Sequence, residues 1–316
     1  MTPAAPATFA AGRDVHGVDL LDRGLVQHTC GYLIASPRPA IVEAGPARSA
    51  AIWRQALDAL GVSPAEIAYL IVTHVHLDHA GGAGVLLKQL PAATVVVHPR
   101  GARHLIDPSR LVAGAQAVFG GRVDEYFGMP EPVPESRLQR AEPGTALDLG
   151  NGHRLRFFDA PGHAPHQHMI WDDGNGCLFS ADELGGSFPS LGDYVLPDAA
   201  PNQFDPEAMR RSARLALALR PQAVLLSHFG RYPGTARTLA RQMDAQLRAF
   251  VEFGKGDPPA PSEDQVRRRL EDHVRGDLAA RGIAWTAPVA EALDEHLTVS
   301  ALGIVDYHRR RAGART

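Results

Sequence analysis

Two periods of apolar spacing alternate along the chain. Short apolar runs bounded by turn residues, Val15–Leu21, Gly31–Ala35 and Ala40–Val42, read as antiparallel strands of a meander. From Pro46 the spacing changes: Ile52, Ala56, Leu57 and Leu60 share one helical face, and Gly61 stops the run. An apolar run at Ile67–Val72, a helix over Ala83–Leu90 ended by Pro91, and a second buried run at Thr94–Val97 follow. Strands passing into a β-α-β-α-β rhythm predict an α/β arrangement.

Between residues 99 and 145 the pattern loosens. Helices are expected at Pro99–Ile106 and around Leu111–Phe119, and the prolines at 130, 132 and 134 then forbid a helix interior and argue for a surface excursion. Strands resume at Ala146–Leu149, Arg154–Phe158, His168–Trp171 and Cys177–Ser180, with Asn151-Gly152 and Gly174-Asn175-Gly176 as hairpin turns. A helix over Phe204–Leu219 has Asp205 as N-cap before Pro206 at its first position, and Ala223–Ser227 is a last buried strand. Beyond Gly230 only helical spacing remains. Leu239, Met243, Leu247 and Val251 form one stripe, Val266, Leu270, Val274 and Leu278 a second, and Leu293, Leu297, Ala301 and Val305 a third on a helix from Pro288 to about Arg309. Gly254–Pro261 reads as a linker. The expected organisation is a disordered tail at 1–14, a catalytic domain at 15–230 and a C-terminal helical extension at 231–316.

Composition narrows the classes without deciding among them. A chain of 316 residues with 45% apolar and 21% charged residues can bury a substantial core. A formal net charge of −3 leaves no nucleic-acid footprint, and no apolar run is long enough to cross a bilayer. The N-terminus lacks the basic and apolar regions of a signal peptide, and Cys30 and Cys177 make no disulfide framework, so a reducing cytoplasm is the expected compartment. The runs Arg267–Arg269 and Arg309–Arg311 read as solvated helix faces. The stripe from Val266 to Leu278 can pack on its own domain or on a second copy, so a homodimer is one expectation.

The chemistry concentrates in Thr73-His74-Val75-His76-Leu77-Asp78-His79-Ala80-Gly81-Gly82, directly after the strand Ile67–Val72. His74 and His76 are two apart, and extended backbone points both rings the same way. Asp78 and His79 project differently as the chain turns at the two glycines, so one loop can serve two neighbouring cations. Imidazole and carboxylate are good ligands for borderline divalent metals. Further donors sit at or just past later strands: His163 in Ala160-Pro161-Gly162-His163-Ala164, Asp182 in Ser180-Ala181-Asp182, and His228 in Leu225-Leu226-Ser227-His228.

With these motifs in order, the chain resembles the metallo-β-lactamase-fold hydrolases, over residues 15 to about 230. The resemblance implies an αβ/βα four-layer sandwich with a C-terminal helical region and two metals in a shallow cleft. It assigns His74, His76 and His163 to the first metal, Asp78, His79 and His228 to the second, and Asp182 as the bridge. Asp rather than Cys at 182 points to the glyoxalase II and lactonase branch. Glu43, in Ile41-Val42-Glu43-Ala44-Gly45, stands where family members often carry Asp and is read as support for the ligands.

Two cations, zinc first with iron or manganese as alternatives, would lower the pKa of a bridging water and clamp the reacting oxygens. The implied activity is attack of that hydroxide on a small ester, thioester or lactone, with Asp78 assisting proton transfer. Tyr194, on the apolar stretch after Asp182, is a candidate leaving-group acid; the plain alternative is that it packs. His166 and His168 are read as rim or core histidines that can support the ligands, and His98 and His104 as structural. The rival readings are a mononuclear iron oxidoreductase resembling persulfide dioxygenases, and a phosphodiesterase or nuclease of the same fold. A non-enzymatic binding module has no use for seven donors.

Overall fold

The computed structural model describes residues 7–142, 144–256 and 260–313. The first sheet has seven strands in sequence order: β1 (Thr8–Gly12), β2 (Val15–Asp19), β3 (Cys30–Ile34), β4 (Ala40–Val42), β5 (Tyr69–Ile71), β6 (Thr94–Val97) and β7 (Leu138–Arg140). β1 to β4 pair antiparallel and β4 to β7 parallel, so the meander and the β-α-β rhythm read from the sequence are two halves of one sheet. Helices α1 (Ala50–Ala59), α2 (Leu77–Ala80), α3 (Ala83–Leu87), α4 (Ala102–Ile106), α5 (Ser109–Phe119) and α6 (Val123–Phe127) lie in the connections. The second sheet runs β13-β12-β11-β10-β9-β8, built from β8 (Ala146–Gly150), β9 (His153–Asp159), β10 (His168–Asp172), β11 (Cys177–Ala181), β12 (Ala223–Leu226) and β13 (Gly230–Arg231). Asn151 and Gly152 both take positive φ, 53° and 83°, as a tight β8–β9 hairpin requires.

Alternation along the strands explains the layers. One face of the first sheet, with Tyr32, Ile34, Val42, Ile71 and Val96, packs on Leu155, Phe157, Ile170, Phe179 and Leu225 of the second. Tyr32 meets Phe179 edge-on at 5.2 Å between ring centres. The other face, with Leu33, Ile41, Leu70, Val72 and Val95, packs on Trp53, Ala56 and Leu57 of α1 and Leu86 of α3. Strands covered on both faces carry near-continuous apolar runs, which is why β3 to β6 read as buried. Cys30 and Cys177 are free, buried thiols, with burial pushing Cys30 up to about 12 and Cys177 up to about 11.

The chain forms two compact units. Both sheets belong to the first, residues 1–159, 166–181 and 221–232; the second contains 160–165, 182–220 and 233–316. This differs from a single boundary at residue 230, because residues 160–165 and 182–220 belong with the C-terminal helices. Those helices are α7 (Pro206–Ala218), α8 (Ala236–Phe253), α9 (Glu263–Ala280) and α10 (Ala287–Gly313). Asp205 caps α7 as expected, accepting from Glu207 N–H and Ala208 N–H at 3.0 Å each. Val266, Leu270, Val274 and Leu278 are fully buried, so the α9 stripe packs within its own unit. A Cβ at Gly303 would lie 1.9 Å from Ala199 O, and glycine lets α10 pass there. Arg267 pairs with Glu271 and Asp294, and Arg309 with Glu263, so members of both arginine runs are engaged in surface ion pairs.

The expected tail is a correction. Residues 8–12 form β1, paired with β2 from Thr8↔Val18 to Gly12↔Val15, because Phe9 is partly buried and packs on the inter-sheet core. Met1–Pro6 lie outside the described residues, as does Asp257–Pro259 of the expected linker. The 99–145 excursion holds α4 to α6 and returns as β7. No described helix is long and apolar enough to cross a membrane.

Candidate metal centre

β5 ends one residue before Val72, the chain bends at Thr73 and His74, and His76, with a φ of −64° and ψ of 155°, is the N-cap of α2. His74 and His76 lie on a bent segment and not on the extended backbone expected, yet their side chains meet, with His74 Nε2 3.0 Å from His76 Nδ1 and the rings edge-on at 4.6 Å. Asp78 and His79 lie on α2, where the His79 ring packs against that of His74 at 4.1 Å and Asp78 joins His79 and His228. Gly82 closes the motif: a Cβ there would come 2.7 Å from Pro46 O.

Glu43 sits at the centre of the polar contacts. It is fully buried at a φ of 70°, a left-handed conformation costly for a non-glycine residue. Oε1 accepts from Thr73 Oγ1, from Ser227 Oγ at 2.9 Å and from His79 Nδ1 at 3.2 Å; Oε2 accepts from Thr73 N–H at 3.2 Å. The Thr73 hydroxyl spends its proton on Glu43, so at 3.1 Å from His74 Nδ1 it accepts. His228 Nδ1 donates to His28 O at 3.0 Å. Acceptor partners therefore hold the proton of His74, His79 and His228 on Nδ1, leaving each Nε2 as the lone-pair nitrogen. Asp78 Oδ2 lies 3.1 Å from His79 Nε2 and 3.3 Å from His228 Nε2. Burial pushes the Asp78 carboxyl up, but His79 and His228, when they also carry a proton on Nε2, outweigh it and hold the group well below the usual carboxylate range.

In the second unit His163, Asp182 and Asp198 bring ligand atoms within 4.8 Å of one another. His163 Nδ1 donates to Asp198 O at 3.1 Å, and its Nε2 lies 3.5 Å from Asp182 Oδ2. Asp198 carries no motif and was not legible in the sequence. Glu183, also unforeseen, accepts from Gly162 N–H at 3.1 Å and His163 N–H at 3.0 Å. Glycine is needed at 162, since a Cβ would meet Met209 N at 2.4 Å and Glu183 Oε1 at 2.6 Å. Burial pushes the Glu183 carboxyl up to about 7, against its hydrogen bonds from Ser212 and the two backbone amides. A raised folded pKa means the folded chain holds this proton more tightly than the unfolded chain. The stabilisation is full below the unfolded value near 4.5 and is lost as pH rises through about 7. In the metal-free protein, stability in urea should fall across that window by up to about 3 kcal/mol. Glu183→Gln should flatten the slope; an unchanged slope would exclude Glu183 as its source.

Tyr194 is a further correction. Its side chain is fully buried, its hydroxyl donates to Asp277 Oδ2 at 3.0 Å and Arg281 stacks on the ring at 5.0 Å. Burial and the Asp277 charge push its pKa up, away from any use as an acid at neutral pH. It is a packing residue between the 186–196 loop and α9. His166 lies against His74 and His76, with ring centres at 6.2 and 5.5 Å, and so borders the first pair. His168 is buried beside Phe157 and His98, both ring nitrogens without a hydrogen-bond partner, and burial pushes it down to about 3. His98 Nδ1 accepts from Arg100 N–H, so its Nε2 donates to Asp159 at 3.1 Å, a structural role as expected.

The chain is 29% identical over 214 residues to the metallo-beta-lactamase fold-containing protein ST1585 of Sulfurisphaera tokodaii, covering 66% of this chain and 77% of that one. The ST1585 crystal structure matches with a TM-score of 0.65 at 20% identity, over 95% of this chain and 98% of that chain. A putative diflavin flavoprotein A 2 of Synechocystis is 28% identical over 177 residues, and an anaerobic nitric oxide reductase flavorubredoxin of Aliivibrio fischeri 25% over 174. The aligned parts are 56% and 54% of this chain but only 26% and 30% of those longer proteins. The model of the metallo-beta-lactamase superfamily matches residues 23–228, from the loop after β2 to the last histidine of the set, and the chain belongs to that superfamily.

Proposed function

We propose that the chain is a metal-dependent hydrolase of a small ester, thioester or lactone, using two divalent cations, zinc first. His74, His76 and His163 would hold one, Asp78, His79 and His228 the other, and Asp182 both. The observation that carries this reading is the fixed tautomer of four imidazoles, His74, His79, His228 and His163. The donor spacing fits as well: two ligand atoms on one tetrahedral zinc lie about 3.3 Å apart. The separations of Asp78 Oδ2 from its two imidazoles, 3.1 and 3.3 Å, match that.

Bound cations supply Lewis acidity and an acidified water. The chain's own residues supply the rest. Glu43 and Thr73 lock the rings of His79 and His74, so no reorientation is needed when a ligand arrives. Asp78 stays anionic and turns Oδ2 to the imidazoles, which leaves Oδ1 to accept a proton from the attacking water. With Tyr194 committed to Asp277, protonation of the leaving group falls to solvent or to a coordinated donor.

An iron-dependent oxidoreductase is the second reading, favoured by the likeness to diflavin proteins and flavorubredoxins. That chemistry requires a reductant, which this chain would have to receive. Metal content by plasma mass spectrometry separates the two. We expect about two zinc per chain, falling toward one in His228→Ala, together with turnover in an ester, thioester and lactone screen. Iron retained in that variant, with oxygen uptake and no hydrolysis, would exclude the hydrolase.

A further inference from the structure

We infer that the cavity beside the loop from Leu20 to Thr29 is a subsite for an anionic group of the substrate, a carboxylate or a phosphate, with Arg23 and Arg48 as its ligands. The inference rests on the hydrolase reading and narrows its substrate class. The cavity measures about 310 Å³ and is lined by Leu20–Gly24, Arg48, Ile52, Glu125 and Tyr126 among others. That is the small end of ligand pockets, enough for a headgroup and not for a whole substrate.

The loop is built at a cost. Leu21 and Arg23 take left-handed φ values of 47° and 54°, each about 1–2 kcal/mol unfavourable for a non-glycine residue. Asp19 holds the conformation, its Oδ1 accepting from Leu21 N–H at 3.1 Å and its Oδ2 from Gln27 N–H at 2.8 Å, while Ser49 donates to Leu20 O at 2.9 Å. The result is that Asp22, only 2% exposed, and Arg23 both line the cavity.

Cationic groups collect there. Arg23 lies over the Tyr126 ring at 5.5 Å, Arg122 lies over the same ring at 4.8 Å and donates to its hydroxyl, and Arg48 also lines the cavity. Asp22 lies 3.7 Å from Arg23 Nε and offsets that charge. Arg48 instead donates Nε and Nη2 to the carbonyl of Asp124, at 3.1 and 2.7 Å, so its charge has no carboxylate partner among the described residues. A guanidinium positioned by a carbonyl is oriented and still able to bind an oxyanion through Nη1. Glu125, exposed and also lining the cavity, offsets part of the arginines' charge.

One imidazole, His28, links the cavity's Arg23 to the donor set. Arg23 Nη2 lies 3.4 Å from His28 Nε2, and the His28 ring is 5.7 Å from that of His228. A substrate anchored at the arginines would reach Asp78, His79 and His228 across one imidazole. Its class is therefore an ester, thioester or lactone bearing a carboxylate or phosphate a few bonds from the scissile carbonyl.

The test is arginine footprinting of the metal-loaded protein with phenylglyoxal, read by peptide mass spectrometry, with succinate, inorganic phosphate or neutral succinamide added. At a probe concentration four times its Kd, labelling of Arg23 and Arg48 should slow about fivefold by mass action. Arg54, exposed on α1, should be unaffected, and succinamide should protect nothing. Protection by phosphate alone assigns the subsite to phosphate, by succinate alone to carboxylate. In parallel, Arg48→Ala should raise KM for a carboxylate-bearing aryl ester about tenfold more than for its methyl ester, and Arg48→Lys should recover part of the difference. Unprotected arginines, or equal KM changes for both esters, overturn the inference. Protection without hydrolysis of either ester leaves the subsite and removes the hydrolase reading; hydrolysis without protection or charge selectivity does the reverse.

Discussion

Glu43→Ala should destabilise the protein by at least about 3 kcal/mol and lower its metal affinity by a further 10–100-fold. The carboxylate accepts four hydrogen bonds, from Thr73 N–H and Oγ1, Ser227 Oγ and His79 Nδ1, in a site with no exposure. Alanine leaves those donors buried without an acceptor, and a water can replace only part of a bidentate carboxylate. Alanine also tolerates the φ of 70° no better than glutamate. The two effects have different readouts. Stability loss appears in the urea midpoint of the metal-free chain; loss of ring orientation appears in competition with a zinc chelator. Glu43→Gln keeps the volume but puts a donor against donors, so it should recover packing and only part of the affinity. Glu43→Ala within about 0.5 kcal/mol of wild type, as for a featureless surface site, would show that the carboxylate is not the hub its contacts describe.

How much of this was legible in the sequence depends on the range of the interaction. Local rules placed Asp205 before Pro206, the Asn151-Gly152 hairpin and the α9 stripe, because caps, turns and helical faces are decided within a few residues. Strand β1 was missed for the opposite reason: Thr8–Gly12 carries a weak alternation, and only its pairing with β2 and the packing of Phe9 make it a strand. The ligand motifs stood out because His74, His76, Asp78 and His79 fall within six residues. Glu43 was visible as a departure in a motif, but not the contacts that make it a hub, since Thr73 and Ser227 are 30 and 184 residues away. Asp198 and Glu183 had no signal at all; their roles exist only relative to His163. Tyr194 failed for a related reason, as its partner Asp277 lies 83 residues on and no spacing rule connects them. The chain's membership in the superfamily was readable from those motifs, whereas no motif names a substrate.

Asp78→Asn should reduce turnover to a small residual rate while leaving the fold intact, and in combination with His228→Ala it should cost little more than either change alone. The side chain is a quarter exposed, so the amide adds no buried unpaired group and the urea midpoint should stay close to wild type. What changes is the charge between two imidazoles: Oδ2, 3.1 Å from His79 Nε2 and 3.3 Å from His228 Nε2, becomes part of a neutral amide that binds a divalent cation weakly. If Asp78 and His228 serve the same cation, losing either empties the same position, and the second loss has nothing left to remove. Residues that act as a unit are non-additive in this way, as in catalytic triads. Metal content should read about one per chain in both single variants and in the double variant, with the residual rate the same in all three. If the double variant instead loses the product of the two single effects, with a further fall in metal content, Asp78 and His228 act on different ions. The ligand assignment proposed for the second position would then have to be redrawn around His79 alone.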